Sequence, residues 1–162
     1  MIMHTATFDE SLDKIVLLDP RYQREAYHFV REALEHTQKL FNKAGKAQAR
    51  QKNSEEAGDE QVRHVSGQQL LDGIRLFALD QFGPMALTVL EEWGVRRCED
   101  FGEIVFNMVE NSLLHKTKQD TREAFKGGYD FTEAFRHPFL PGRKTVAPPP
   151  EPTTHKSDPH TT

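Results

Sequence analysis

Gly83 and Gly94 restrict this chain more than any other residues, because they divide its most apolar stretch, His64 to Leu114, into three segments of helical spacing. Ser66 followed by Gln69 predicts a capping box, with Val65 and Leu70 placed to close a hydrophobic staple over it. A helix is therefore expected from about Gly67 to Phe82, where Gly83-Pro84 supplies a terminator and then the first turn of the next helix. That next helix is predicted to end at Trp93, with Gly94 left-handed and Val95 packing back on Leu90. A third is predicted from near Cys98, with Glu99 and Asp100 in a first turn whose dipole favours carboxylates.

Spacing also assigns faces. Phe101, Ile104, Val105, Phe106, Met108, Val109 and Leu113 wrap more than half of the third helix and mark it as central. Glu99, Asp100, Glu103, Asn107, Glu110 and Asn111 remain as a narrow strip, expected to be a negative outer surface. The helix before Gly83 puts Leu70, Leu71, Ile74, Phe77, Ala78 and Phe82 on one side, but Leu76 and Leu79 point elsewhere. Those two leucines need a second contact surface, which is either the N-terminal helices or a partner.

Upstream, Phe8, Leu12, Ile15 and Val16 predict a helix over about 8–18, and Asp19-Pro20 predicts the cap and first residue of the next one. Tyr22, Ala26, Phe29, Val30, Ala33, Leu34, Thr37, Leu40 and Phe41 form the continuous stripe of that helix. Positions 43–63 lack apolar residues apart from Val62 and alanines, and are expected to be a flexible insertion. Residues 113–118 suit either a small extended piece or the frayed end of the central helix. Phe125, Tyr129, Phe131, Phe135 and Phe139 then predict a short helical and aromatic segment that seals the core, with a stacking platform for bases as the alternative. The tail 141–162 is proline-rich and expected to be disordered.

The class that follows is a mainly all-α, compact bundle of about five helices, one domain over 1–140. The two polar stretches account for a lean 36% hydrophobic content and a mean hydropathy of −0.69 in 162 residues. A net charge of −4 gives no global attraction to nucleic acid or anionic membrane. One cysteine rules out an intrachain disulfide and suits a reducing compartment. With neither a basic-then-apolar leader nor an apolar run of bilayer length, a soluble cytoplasmic protein is expected.

DPRY at 19–22, HVSGQ at 64–68, FGPMA at 82–86, WGV at 93–95, EDFGEIVFN at 99–107 and YDF at 129–131 resemble a family of conserved hypothetical proteins of verrucomicrobial and planctomycete bacteria. The resemblance spans the chain apart from 43–63 and the tail, and it implies no activity, cofactor or partner. Cys98 stands where the family pattern leads one to expect threonine or serine, which makes it resemble a substituted helix cap rather than a nucleophile.

Site candidates are few. The segments around Gly94 have helix-turn-helix proportions, but the face offered to a groove would be Glu99, Asp100, Glu103, Asn107 and Glu110, so DNA recognition there is not expected. Arg96, Arg97, Lys116, Lys118, Arg122 and Lys126 form a basic edge that suits RNA or a ribosome. His28, Glu32 and His36 have metal-ligand spacing, yet are read as a hydrated ladder opposite the apolar stripe. His64 and His115, with Asp120 or Glu123, offer acid–base chemistry if a concave pocket encloses them. Cys98 lies beside Arg96 and Arg97, which would lower its pKa, and beside Glu99 and Asp100, which oppose that. No phosphate loop, GxSxG, HExxH or paired-cysteine motif is present, and no cofactor or metal is expected. A protein-interaction or regulatory module is the leading expectation, with Leu76 and Leu79 or the strip Asp100, Glu103, Asn107 and Glu110 as its surface. An RNA-associated factor and an enzyme using His64 or His115 are the alternatives.

Overall fold

The computed structural model describes residues 8–51 and 64–141, and for 46–51 the backbone alone. The described residues form five α-helices: α1 (Phe8–Leu18), α2 (Arg24–Gln51), α3 (Gly67–Phe82), α4 (Ala86–Glu92) and α5 (Cys98–Glu110). Short 3-10 and π turns follow at Arg122–Phe125, Thr132–Arg136 and His137–Phe139, and the described residues contain no strand.

The local signals act as expected at the start of α3 and the end of α4. Between them Gly83 takes φ +52 and ψ −130, outside the left-handed helical region, and Gly83–Met85 form a 3-10 turn, so Pro84 starts that turn and α4 begins at Ala86. Ser66 Oγ accepts from Gln69 N–H at 3.2 Å while Gln69 Oε1 accepts from Ser66 N–H at 3.0 Å, so two free donors of the helix start are satisfied. At the end of α4, Val95 N–H reaches Leu90 O and Gly94 N–H reaches Glu91 O, with Gly94 at φ +88. This pairing closes the last carbonyls of the helix, and its hydrophobic partners Leu90 and Val95 are both fully buried. The end of α5 uses the same device without glycine: Ser112 takes φ +61, and Leu113 N–H bonds Met108 O. Residues 113–118 are thus neither strand nor frayed helix, because this reversal buries Leu113 and Leu114.

Both boundaries of α2 also differ from the sequence expectation. Asp19-Pro20 does not start α2. The Asp19 carboxylate binds the guanidinium and N–H of Arg21 instead, leaving 20–22 as a turn and α2 beginning at Arg24. At its other end α2 continues to Gln51, nine residues into the segment expected to be flexible, since the alanines, lysines and glutamines there are good helix formers without being apolar. The rest of that segment, 52–63, and the tail from 142 lie outside the described residues.

Packing makes α5 the centre. Phe101, Gly102, Ile104, Val105 and Met108 are buried against α1, α2, α3 and the C-terminal segment. Helices α2 and α3 run antiparallel in close contact: a Cβ on Gly73 would lie 1.8 Å from Thr37 Oγ1, and Phe29 meets both Phe77 and Phe82. The C-terminal segment crosses α3 and α5, seating Phe125 against Gly67 and Gly102. Phe131 and Phe135 are buried with Phe101 and Tyr129 in one aromatic cluster, so this run seals the core, and only Phe139 of the five is substantially exposed.

Gly94 also sits on the α1–α2 connection, where a Cβ would come 2.2 Å from Arg21 O, whereas a Cβ on Gly83 would meet nothing within 4 Å. Gly94→Ala is expected to destabilise by roughly 3 kcal/mol or more, combining positive φ with a backbone clash. Gly83→Ala should cost only about 1–2 kcal/mol, from its φ of +52 alone. Urea unfolding of the two variants checks this order.

Candidate functional site

The polar strip of α5 gathers several titratable groups, and its contacts make it a seam between elements. One turn into the helix, Asp100 Oδ2 accepts from the backbone N–H groups of Arg96 and Arg97 at 2.9 and 3.1 Å. Its Oδ1 accepts from Tyr22 OH at 2.6 Å. One carboxylate therefore caps α5 and grips the α1–α2 connection. Farther along, Asn107 donates to Asp19 Oδ2 at 3.0 Å and to Tyr27 OH at 3.1 Å. Glu103 receives Arg21 and Arg122, each at 3.4 Å, and Glu110 receives Arg122 at 2.9 Å.

The electrostatics of the seam follow from these contacts. The Arg21 guanidinium holds the Asp19 carboxyl well below the usual carboxylate range, with burial opposing this and Asn107 adding to it. Tyr22 is pushed up, first by burial and then by its bond to Asp100, and burial likewise raises Tyr27. Both phenols stay protonated as donors or acceptors of structural bonds, so the cluster holds the α1–α2 hairpin on α5 and its groups are occupied by one another.

The strip expected to face a partner is thus largely spent internally: Asp100, Glu103 and Asn107 are partly covered, and Glu110, though exposed, is bridged to Arg122. The helix-turn-helix likeness of α4 and α5 ends here too, because the helix in the recognition position is enclosed by four other elements. The basic edge is divided. Arg122 and Lys116 lie over the Phe106 ring, and Lys126 pairs with Glu123. Arg96 and Arg97 instead line a cleft of about 200 Å³ at the other end of α5, with Cys98, Glu99, Gly127, Gly128 and Asp130, while Lys118 is exposed elsewhere.

Cys98 is buried at the base of that cleft, its thiol directed at Tyr129 O, 3.4 Å away. Burial pushes the thiol up to about 11, against the lowering expected from the neighbouring arginines. His64 and Asp120 do meet: Nε2 is 2.9 Å from Asp120 Oδ1, and Thr117 N–H donates to Asp120 Oδ2. His115 is exposed and Glu123 pairs with Lys126. The slot beside the pair, lined by Val65, Leu70, Phe106 and Phe125, measures about 10 Å³, room for no more than about one water. His28 and His36 are not on a free outer face: His28 stacks on Phe8, and His36 packs on Phe77 with Nδ1 enclosed. No group of three or more His, Cys, Asp or Glu able to hold a metal ion occurs among the described residues.

Leu79 is half-buried against the core, while Leu76 stays 51% exposed in mid-helix, and helices α1 and α2 do not cover it. Sequence reasoning passed over Leu17 and Leu18 at the end of α1, which are 84% and 80% exposed. For Leu17 the available signal was its position opposite Leu12 and Ile15; Leu18, three residues after Ile15, falls nearer the buried side and carries no such mark. No helix of the described residues is long and apolar enough to cross a membrane. Comparison with protein-family models, curated proteins and solved structures finds no match for this chain.

Two outcomes follow from the site. Cys98 should react with an aromatic disulfide reagent at pH 8 at least about 10²-fold more slowly in the native protein than in urea, as its burial and raised pKa require. Asp19, whose folded pKa is depressed, contributes stability that is fully present above the unfolded carboxylate value and is lost as pH falls below it. The stability gap between wild type and Asp19→Asn, about 1 kcal/mol at pH 6 after solvent screening, should therefore shrink as urea melts are moved from pH 5 to pH 2.

Proposed function

We propose that this chain is a small helical interaction module, regulatory rather than catalytic, that binds a protein partner through the outer face of α3. Leu76 carries the proposal: it is 51% exposed at the middle of a capped helix, with Leu79 one turn on and half-covered. Burying a leucine under a partner is worth about 1.5–3 kcal/mol, and two on one helix face can anchor a modest interface. The groups suited to acid–base work support the same view. Tyr22 is bonded to Asp100, Asp19 and Tyr27 both take Asn107, and the His64–Asp120 pair adjoins a slot of about 10 Å³. A single buried cysteine is in keeping with work in the reducing cytoplasm.

Leu76→Asp separates this proposal from its rivals. The tagged wild-type chain should retain one protein in about 1:1 ratio from lysate of its native source, and the variant should lose it while its thermal melt stays within about 1 kcal/mol of wild type. Retention of the same protein by the variant, or no stoichiometric capture by wild type, would contradict it.

A further inference from the structure

The outermost stripe of α3 sets a leucine between two carboxylates. Asp72, Leu76 and Asp80 recur at i, i+4 and i+8, which is one helix face, and all three are exposed. With a rise of about 1.5 Å per residue, each carboxylate lies about 6 Å along the axis from the leucine, one on either side. Among the described residues neither takes part in an ion pair, and Asp80 accepts only from the neighbouring Gln81 side chain, at 3.2 Å. Arg75, partly covered, is the one cation between Gly67 and Glu92, against the carboxylates Asp72, Asp80, Glu91 and Glu92.

Asp80 also stands against the local rule. It lies in the last turn of α3, where the helix dipole disfavours a carboxylate, and no basic residue shares that turn. A cation arriving from another molecule would meet the carboxylate and the negative end of the helix together. The exposed leucine requires an apolar side chain opposite it, and the carboxylates require cations. Their separation of about 12 Å matches cations at i and i+8 of a second helix, with its apolar residue at i+4 between them. A helix bearing glutamates there would be repelled, and a neutral one would cover the carboxylates without pairing them.

Building on the partner site placed on α3 above, we propose that this stripe receives a cationic amphipathic helix of another protein. The apolar residue of that helix covers Leu76, and a lysine or arginine one turn to either side pairs with Asp72 and with Asp80.

The full chain is titrated with three fluorescein-labelled helical peptides of about 18 residues, identical except for Lys, Gln or Glu flanking one leucine stripe, and anisotropy is read at about 20 and about 200 mM KCl. The lysine peptide should bind about five- to tenfold tighter than the glutamine peptide at low salt, the worth of two exposed ion pairs, and most of that difference should go at high salt. In Asp72→Asn/Asp80→Asn the lysine preference should vanish, and in Asp72→Lys/Asp80→Lys it should pass to the glutamate peptide, each variant keeping a cooperative thermal melt. A proline in the middle of the lysine peptide should weaken binding at least about tenfold. Absence of binding by the lysine peptide, equal binding of the lysine and glutamine peptides, a preference that survives Asp72→Asn/Asp80→Asn, or indifference to the proline would overturn the proposal. Leu76→Ser tells the two failures apart. Glutamine-peptide binding that this variant abolishes, with no lysine preference in wild type, keeps the partner site on α3 and overturns its charge selectivity. A lysine preference and affinity untouched by Leu76→Ser would overturn the site and its selectivity together.

Discussion

The carboxylate of Asp100 is the contact on which the arrangement of helices depends. It is fixed locally, because the turn after Gly94 aims two backbone N–H groups at it, and it reaches 78 residues away in sequence to take the Tyr22 hydroxyl. A charged acceptor in a partly buried bond contributes about 1.5–3 kcal/mol, against a net worth nearer 1 kcal/mol for a neutral one. The same junction is held by Gln23 N–H on Trp93 O at 3.0 Å and by the close approach of Gly94 to Arg21 O. Three unlike interactions thus converge where the α1–α2 connection crosses the α4–α5 turn. Helices α1 and α2 are placed on α5 by that crossing, and the apolar core fills in behind it.

Spending the polar strip of α5 on this seam redistributes what the protein can offer to other molecules. A central helix whose charged face is consumed internally leaves recognition to the periphery. There, Leu76 remains half-exposed on α3, and Leu17 and Leu18 remain exposed on α1. Exposed single leucines are ordinary on protein surfaces; Leu76 differs in having Leu79, half-buried, one turn on along the same helix.

Much of the fold is legible in the sequence wherever one element carries its own instructions. Ser66 and Gln69 are three residues apart and satisfy each other, so the start of α3 needs no tertiary information. Gly94 with Val95 likewise encodes the end of α4. Asp19 shows where this fails. A helix cap and an Arg21-binding turn use the same residue, and the choice depends on Asn107, 88 positions away, which takes its other oxygen. Ser112 hides the end of α5 because a left-handed serine has no compositional mark. Spacing correctly places Asp100, Glu103 and Asn107 on one strip, but periodicity says which residues share a face and not what covers that face. The continuation of α2 to Gln51 is encoded in helix propensity and not in apolar periodicity, which ends at Phe41.

A double-mutant cycle on Tyr22→Phe and Asp100→Ala, read by urea unfolding, addresses the seam most directly. Phenylalanine keeps the buried ring and removes only the hydroxyl, while the cycle cancels the separate loss of the Arg96 and Arg97 cap. A coupling of about 1.5 kcal/mol or more is expected if the two residues clasp the helices together. A coupling near zero would mean that the strip of α5 is not held by the connection, and that its carboxylates face outward after all.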